Sequence, residues 1–403
     1  MPYLQEIEYF NSFIIKDDQY RFHVEESRIK GDFNGKSVDY GVRAHITDDF
    51  YGEEIRENTM IYSGIYNSRT GVNNLNQFPI DKPITISVDS NQGSIQKLFA
   101  EDQALLIFQE EKVRSVPIDK DVIYSAEGLP ISTRSNLFLG DVSSYGTNYG
   151  IGKHPESFAY YAGRKYFVDK AKGAVLRLSR DGITEISNYG MRSFFRDNLR
   201  DATDVHLAWD VYNKDLVLTV IKPSDSFTVV FDEFVNGWTS FYSYIPQGFS
   251  GSIDGKFYTF KGNNIYEQYS TDEYNTFYGE KYDSHIEFVF NESPSINKNF
   301  VTINYEGTDS WNISSITTDS DEAFPVPEYS IYNDDLMISA FQKNDNKYHS
   351  NLINATEPAA GEVVFGDSMT GIKGFYQKVK IETSSGDYKE LFSVSTNYNV
   401  NSY

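Results

Sequence analysis

The stretch VVFDEFVNGWTSFYS, residues 229–243, decides the fold class of this chain. It contains two apolar-rich runs on either side of Asn236-Gly237, a residue pair that favours the tight turn of a β-hairpin. The upstream stretch VYNKDLVLTVI, residues 211–221, has the same pattern. A small antiparallel sheet has hydrophobic faces to cover, and it gains by packing face to face with sheets like itself. The sequence therefore predicts a succession of small, stacked β-sheets.

The bulk composition supports β structure and narrows the possible functions. The 403 residues are enough for two or three domains, or for one large ring-like β fold. Aromatic residues make up 16 % of the chain, with 31 Tyr and 29 Phe, and aromatic side chains suit pleated, half-buried surfaces. The net charge of −22 argues against general binding to DNA or to anionic membranes. The absence of cysteine excludes disulfides and thiolate chemistry.

No segment of the sequence indicates a membrane span or an export signal. No apolar run approaches the roughly 20 residues that cross a bilayer. The start, MPYLQEIEYFNSF, lacks the basic region and the apolar core of a signal peptide. We therefore expect no membrane-spanning segment.

Four clusters of short strands follow one another along the chain, each interrupted by turn residues. They span residues 95–118, 157–187, 206–241 and 248–269. Such meanders, recurring every few tens of residues, are typical of β-propeller blades. The segment YGMRSFFRDNLRDA, residues 189–202, has Met191, Phe194, Phe195 and Leu199 at helical spacing and predicts one short helix.

The ends of the chain have a different character. Near the start, GDFNGKSVDYGVRAHI predicts a hairpin that turns at Asn34-Gly35. Residues 285–307 and 311–318 predict further strands, 317–335 a long acidic loop, and 374–400 a closing hairpin around Ser385-Gly386. The predicted fold is mainly β: an N-terminal segment (1–60), whole or partial propeller-like blades (61–270) and a β-sandwich-like domain (271–403).

The sequence contains no motif that predicts catalysis or the binding of a metal or cofactor. The six histidines are far apart and lack metal-site spacing, and GFSGS (248–252) has the wrong order for a nucleophile elbow. The run SRDGITEI (179–186) lacks the tryptophan of a sialidase turn, so it predicts an Asp-Gly hairpin. The acidic runs DSDE (319–322) and DDFYGEE (48–54) lack the ligand spacing of a calcium loop. We therefore predict a protein that is not an enzyme and uses no cofactor.

One local feature opposes the global charge. Between Gly163 and Arg180, basic residues accumulate with Asp169 as the one acid; they are Arg164, Lys165, Lys170, Lys172, Arg177 and Arg180. Such residues either protect an exposed strand edge or form a contact site, for acidic neighbours in a homo-oligomer or for passing DNA. We refer to these six residues as the basic group and treat them as a candidate subunit-interface or DNA-facing site.

A longer block carries a resemblance to a known family. The run GIGKHPESFAYYAGRKYFVDKAKGAVLRLSRDGITEISNYGMRSFFRD, residues 150–197, resembles large structural proteins of crAss-like, short-tailed bacteriophages, the tail muzzle, nozzle or stabilisation proteins. Residues 62–78, 93–113, 290–307 and 368–382 are similar to other parts of the same family.

The resemblance implies a virion component of the phage tail, made in the cytoplasm of the bacterial host. It implies a six-fold homo-oligomeric ring around the DNA exit channel, in contact with other tail and portal-proximal ring proteins, with DNA as transient cargo. A receptor- or glycan-binding propeller is the alternative, in which Trp209, Trp238, Trp311 and the tyrosines would stack on sugars. Their positions inside strand patterns favour core packing instead.

Overall fold

A computed structural model describes residues 13–16, 22–25, 55–64, 66–69, 71–78, 84–124, 130–319, 341–345, 347–354 and 369–400. The chain divides into two compact units, Met1–Lys256 and Phe257–Tyr403. The domain limits predicted from the sequence, at residues 60 and 270, stay predictions. The hairpin predicted at Asn34-Gly35 falls outside the described residues, as does the loop predicted over 317–335 apart from its first three residues, of which Thr317 and Thr318 lie in a strand.

The N-terminal part contains short paired strands. They are β1 (Phe13–Lys16), β2 (Phe22–Glu25), β3 (Thr59–Ile61), β4 (Tyr66–Asn67), β5 (Val72–Asn73) and β6 (Thr85–Ser87). The pairs are β1 with β2, β3 with β6, and β4 with β5. Gly71, which marks the turn between β4 and β5, has a φ of 68°, so a glycine suits the position.

Three antiparallel sheets follow in the first unit, at the positions of the first three predicted clusters. The first sheet contains β7 (Ile95–Ala100), β8 (Ala104–Gln109), β9 (Val113–Tyr124), β10 (Pro130–Leu139) and β11 (Ser143–Ser144). The second contains β12 (Phe158–Tyr161), β13 (Arg164–Asp169), β14 (Ala174–Ser179) and β15 (Gly182–Glu185). The helix α1 (Arg192–Leu199) precedes the third, which contains β16 (Asp204–Asp210), β17 (Asp215–Ile221), β18 (Phe227–Asp232) and β19 (Gly237–Tyr242).

The hairpin turns of these sheets repeat one local device. An aspartate ends a strand, and its Oδ1 accepts backbone N–H groups of the following turn. Asp169 accepts from Lys172, Asp210 from Tyr212, and Asp232 from Phe234. An aspartate side chain that bonds the backbone two or three residues ahead stabilises a turn, so the sequence places each turn where the strand must reverse.

The second sheet is buried on both faces. Tyr166 and Val168 of β13 belong to a hydrophobic core shared with α1 and the third sheet. Phe167, the residue between them, belongs to a core shared with Leu106 and Phe108 of the first sheet. Because successive side chains of a strand point to opposite faces, the three sheets stack face to face. The predicted stacking of repeated meanders is confirmed here, and the predicted helix is present with Phe195 and Leu199 buried.

The fourth predicted cluster also contains strands. They are β20 (Gly251–Ile253), β21 (Lys256–Lys261) and β22 (Asn264–Glu267). In the second unit, β21 and β22 form an antiparallel hairpin. The small hairpin of β23 (Thr276–Phe277) and β24 (Glu280–Lys281) follows it.

The rest of the described second unit contains two larger sheets with one common core, and one separate pair of short strands, Ile353–Asn354 with Met369–Thr370. Its strands are β25 (Ser284–Phe290), β26 (Lys298–Gly307), β27 (Asn312–Thr318), β28 (Gln342–Asn344), β29 (Lys347–Asn351), β30 (Ile353–Asn354), β31 (Met369–Thr370), β32 (Ile372–Gly374), β33 (Gln377–Thr383) and β34 (Leu391–Val400). One sheet has the order β25-β33-β27; the other has β26 at its centre, paired with β29, β32 and β34, and β28 beyond β29. Ile303 of β26, Ile316 of β27 and Val379 of β33 lie in the common core.

The closing hairpin predicted over 374–400 is wrong in its pairing. Both strands exist, as β33 and β34, but β33 lies between β25 and β27, and β34 pairs with β26 in the other sheet. The connection around Ser385-Gly386 therefore joins two sheets. Its carbonyl groups are occupied by Tyr274, whose N–H donates to Gly386, and by Asn275, whose Nδ2 donates to Ser385.

Candidate interaction surface

Two arginines of the basic group converge on one largely buried acid. Arg164 of β13 and Arg177 of β14 approach Oε2 of Glu233 at 3.4 and 2.7 Å. Tyr166 donates its hydroxyl to Oε1 of the same carboxylate at 2.6 Å. Burial and the Glu233 carboxylate raise the pKa of Tyr166 well above its usual value. Glu233 follows β18 of the third sheet, so this cluster ties the second sheet to the third.

Lys165 ties the second sheet to the first. Its side chain is buried and forms an ion pair with Glu101, in the turn between β7 and β8. Its Nζ also lies over the rings of Tyr160 and Phe99, about 6 Å from each centroid. Burial lowers the pKa of Lys165. A buried lysine with an acid and two rings beside it has a packing role.

Lys172 is held in the turn that joins β13 to β14. Its Nζ donates to Oδ2 of Asp169 at 3.0 Å and to the carbonyl of Asn148, and it lies 5.4 Å from the ring centroid of Tyr149. Asp169 is buried, so this lysine neutralises a buried carboxylate. Burial and the hydrogen bond to Glu185 raise the pKa of Tyr149 to about 12.

Lys170 and Arg180 remain outside these clusters. No ion pair joins either of them to a carboxylate among the described residues. Arg180 is exposed and Lys170 half-exposed. Burial lowers the pKa of His154, and the positive charge of nearby Lys170 lowers it further. The basic group is thus not one continuous free surface: four of its members are held by acids of the same unit. The role of the basic group as a subunit-interface or DNA-facing site stays a prediction.

Sequence reasoning missed the acids that hold this group. Glu233 lies 56 residues from Arg177, and Glu101 lies 64 residues from Lys165. Local spacing has no signal for partners so far apart. The stacking order of the sheets was the one useful indication, since adjacent sheets bring their turns together.

The three tryptophans are part of the cores. Trp209 is buried, and its ring stacks on Tyr161 with centroids 4.4 Å apart and an angle of 10°. Trp238 donates its indole N–H to the carbonyl of Ile186 at 3.0 Å. Trp311 donates to the carbonyl of Glu390 at 3.1 Å. These contacts account for the three tryptophans that the glycan-binding alternative named, and that alternative has no support from them.

Two of the histidines meet at one carboxylate. Asp204 lies 3.2 Å from Nε2 of His206 and 3.7 Å from Nδ1 of His154. Among the described residues, no group of three or more His, Asp or Glu side chains is arranged to hold a metal ion.

No helix of the described part is both long and apolar enough to cross a bilayer.

A fully exposed apolar side chain lies at the tip of the third sheet. In the turn after β18, 98 % of the surface of Phe234 is exposed to solvent, while its neighbour Glu233 is held against the second sheet. The N–H groups of Phe234 and Val235 both donate to Oδ1 of Asp232, and Asn236 has a φ of 56°. The backbone of this turn is thus fixed while its apolar tip faces solvent.

Comparison with known proteins identifies the family. A sequence model of the Crassvirus muzzle protein matches residues 79–264, and a model of the Crassvirus muzzle protein C-terminal domain matches residues 272–354. The chain belongs to the muzzle protein family of crAss-like phages. This confirms the resemblance found in the block of residues 150–197. The first match covers the three stacked sheets, and the second covers β23 to β30 of the second unit.

A curated member of the family gives the scale of the likeness. The muzzle protein of Bacteroides phage crAss001 is 23 % identical over 253 residues, which is 58 % of this chain. The matched region is 17 % of that protein, so this chain spans about a sixth of the length of the family member it matches.

Proposed function

We propose that this chain is a structural subunit of the tail of a crAss-like phage. Copies of it form a ring, with six-fold symmetry, around the channel through which DNA leaves, and the ring contacts other tail and portal-proximal ring proteins. The protein is made in the cytoplasm of the bacterial host, resides in the virion and has no enzymatic activity. The observation that carries the proposal is the muzzle family match, which includes parts of both compact units.

The interior of the first unit supports a passive role. Three of its titratable side chains stabilise the packing: Glu233 and Lys165 join adjacent sheets through ion pairs, and Asp169 pairs with Lys172 of the turn that follows it. We further propose that the three stacked sheets are blades of a whole or partial propeller, and that the two sheets of the second unit form a β-sandwich.

The net charge supports passage of DNA without binding. A chain with 58 acidic and 36 basic residues gives a channel wall that is negative on average. DNA phosphates are repelled by such a wall, so DNA slides past instead of adhering.

Measuring the mass and shape of the purified protein tests the ring. We expect light scattering and electron microscopy to find closed rings of six copies, and immunogold labelling of virions to mark the tail. A monomer at all concentrations, or a trimeric spike, would refute the ring. Labelling confined to the host cytoplasm would refute the virion role.

A further inference from the structure

The second unit contains two long strands that each have an open edge. Among the described strands, β34 pairs with β26 alone and β25 pairs with β33 alone. An open edge has unpaired backbone N–H and C=O groups, and natural proteins usually blunt it with charges, prolines or very short strands.

The edge of β34 carries none of these devices. Its sequence, LFSVSTNYNV, has no charged residue and no proline in ten positions, in a chain that is 23 % charged. Two irregularities interrupt its pairing with β26, an extra residue at Phe392 in β34 and another at Val301 in β26, and β34 itself has no extra residue over 393–400. Val394 and Tyr398 face the core but are only half-buried, because nothing described covers the outer side of the strand. The edge is suited to accept another strand.

The edge of β25 has the same character. Four of its seven residues are exposed, among them Ile286 at 47 % and Val289 at 52 %. The acid in the strand, Glu287, forms an ion pair with Lys378 of β33 at 2.7 Å, so its charge is neutralised. By contrast, β27 at the other side of this sheet has no exposed residue, and β28 has only three residues.

We propose that β34 of one copy adds to β25 of the next copy, so that the sheets continue from subunit to subunit. A second copy fits because both edges belong to one chain and both lack net charge, so that two chains of −22 meet where repulsion is weakest. A head-to-tail contact of this kind repeats, and it closes into a ring when the rotation between copies divides a full turn. This inference rests on the proposed assembly of copies and names the strands that perform it.

The backbone direction of β34 determines the test. The N–H of Leu352 donates to the carbonyl of Val301, so odd-numbered residues of β26 direct their backbone groups towards β29. Because this direction alternates along a strand, Thr302, Asn304 and Glu306 face β34. Their partners there are Asn397, Ser395 and Ser393. The N–H groups of Val394 and Thr396 therefore point to the open edge.

Thr396→Pro removes an edge donor and adds a ring that blocks an approaching strand, while the backbone hydrogen bonds to β26 remain. It also removes the Thr396 hydroxyl, which donates to the carbonyl of Thr302. Thr396→Val removes the same hydroxyl and keeps the N–H, so it is the matched control. If Thr396→Pro does not fold by circular dichroism, the double variant Ser395→Glu with Asn397→Glu charges the same edge from its outer face.

The edge of β25 has its own pair of variants. Val289→Glu adds a charge to the exposed outer row, and Val289→Thr keeps a β-branched side chain without charge. We expect Thr396→Pro and Val289→Glu each to weaken assembly by about tenfold or more, and the two controls to assemble as wild type does.

Mixing the two blocked variants gives the sharpest result. Each retains one working edge, so an equimolar mixture should form a one-to-one dimer that neither variant forms alone. Self-association of Val289→Glu at the wild-type level would overturn the head-to-tail pairing.

Rings that persist in both variants would overturn the edge inference and leave the proposed ring standing. If the wild-type protein forms open chains instead of rings, and the same variants prevent these chains, the ring is refuted and the contact between the two strand edges is supported. A wild-type protein that stays monomeric at high micromolar concentration would overturn both.

Discussion

Asp215 lies in a row of three carboxyl groups that crosses adjacent strands of the third sheet. Its register partners are Asp210 on β16 and Asp232 on β18. The other two carboxylates accept backbone N–H groups of their turns, as described above. Burial, followed by repulsion from Asp232 and Asp210, raises the pKa of Asp215 to about 6. Ionisation of this side chain therefore opposes folding.

The pH dependence of Asp215→Asn follows from the direction of that shift. Between about pH 4 and 6 the folded protein retains a proton that the unfolded chain releases, so the stability contributed by this group falls as pH rises through this window. The loss is complete above pH 6. Near pH 4, we expect Asp215→Asn to have the same free energy of unfolding as wild type. At pH 7 it should be more stable by about 1 kcal/mol, a figure reduced for partial solvent screening.

Urea unfolding at both pH values measures this difference. Asp201→Asn, at an exposed position after α1, is the control and should change stability little at either pH. An Asp215→Asn protein that is no more stable than wild type at pH 7 would contradict the conclusion that burial and repulsion oppose the ionisation of Asp215.

Among the elements, α1 and the turn between β13 and β14 pack at backbone distance. Gly173 has a φ of 66°, and a Cβ placed on it would lie 2.6 Å from Cα of Arg196 in α1. Gly163, in the preceding turn of the same sheet, has a φ of 81° and no atom within 4 Å of such a Cβ. Both glycines have a positive φ, but only Gly173 lies so close to another backbone that a Cβ would clash.

Alanine at these two glycines separates strain from contact. Gly163→Ala should lower the free energy of unfolding by about 1 to 2 kcal/mol, the cost of a left-handed backbone for a residue with a Cβ. Gly173→Ala should cost about 3 kcal/mol or more, because α1 must also move away from the sheet. Thermal unfolding of both variants decides the matter. Equal losses would mean that α1 adjusts freely and that its docking is loose.

The strands themselves were predictable from the sequence because their signals are local. Alternation, together with turns such as Asp181-Gly182 and Asn236-Gly237, placed the second and third sheets over residues 157–187 and 206–241, where their strands lie. The burial of Phe195 and Leu199 followed in the same way from helical spacing.

The pairing of distant strands was not predictable, because it depends on contacts far apart in sequence. The pattern of 374–400 resembles a hairpin, yet β33 and β34 are taken by two different sheets. Core burial decides this: the inner rows of both strands face the same core from opposite sides, which a hairpin within one sheet does not allow. The partners of Lys165 and Arg177 were hidden for the same reason, since sheet stacking selects them.

For the whole molecule, the net charge of −22 sets how assembly responds to salt. Copies repel one another over distances that salt shortens, since the screening length is about 10 Å at 0.1 M and about 3 Å at 1 M. The proposed contact between β34 and β25 does not depend on opposite charges. Salt therefore screens the repulsion between the acidic copies and leaves the attraction between the two strands unchanged. Contacts made by Lys170 and Arg180 with acidic neighbours would respond in the opposite direction.

We therefore expect self-association to strengthen several-fold between 50 and 500 mM sodium chloride. Sedimentation velocity over a concentration series at both salt levels measures the effect, and Thr396→Pro is the control because its weakened edge should leave little association to strengthen. If assembly weakens as salt rises, the contact is carried by opposite charges, and the basic group, not the uncharged strand edges, joins one copy to the next.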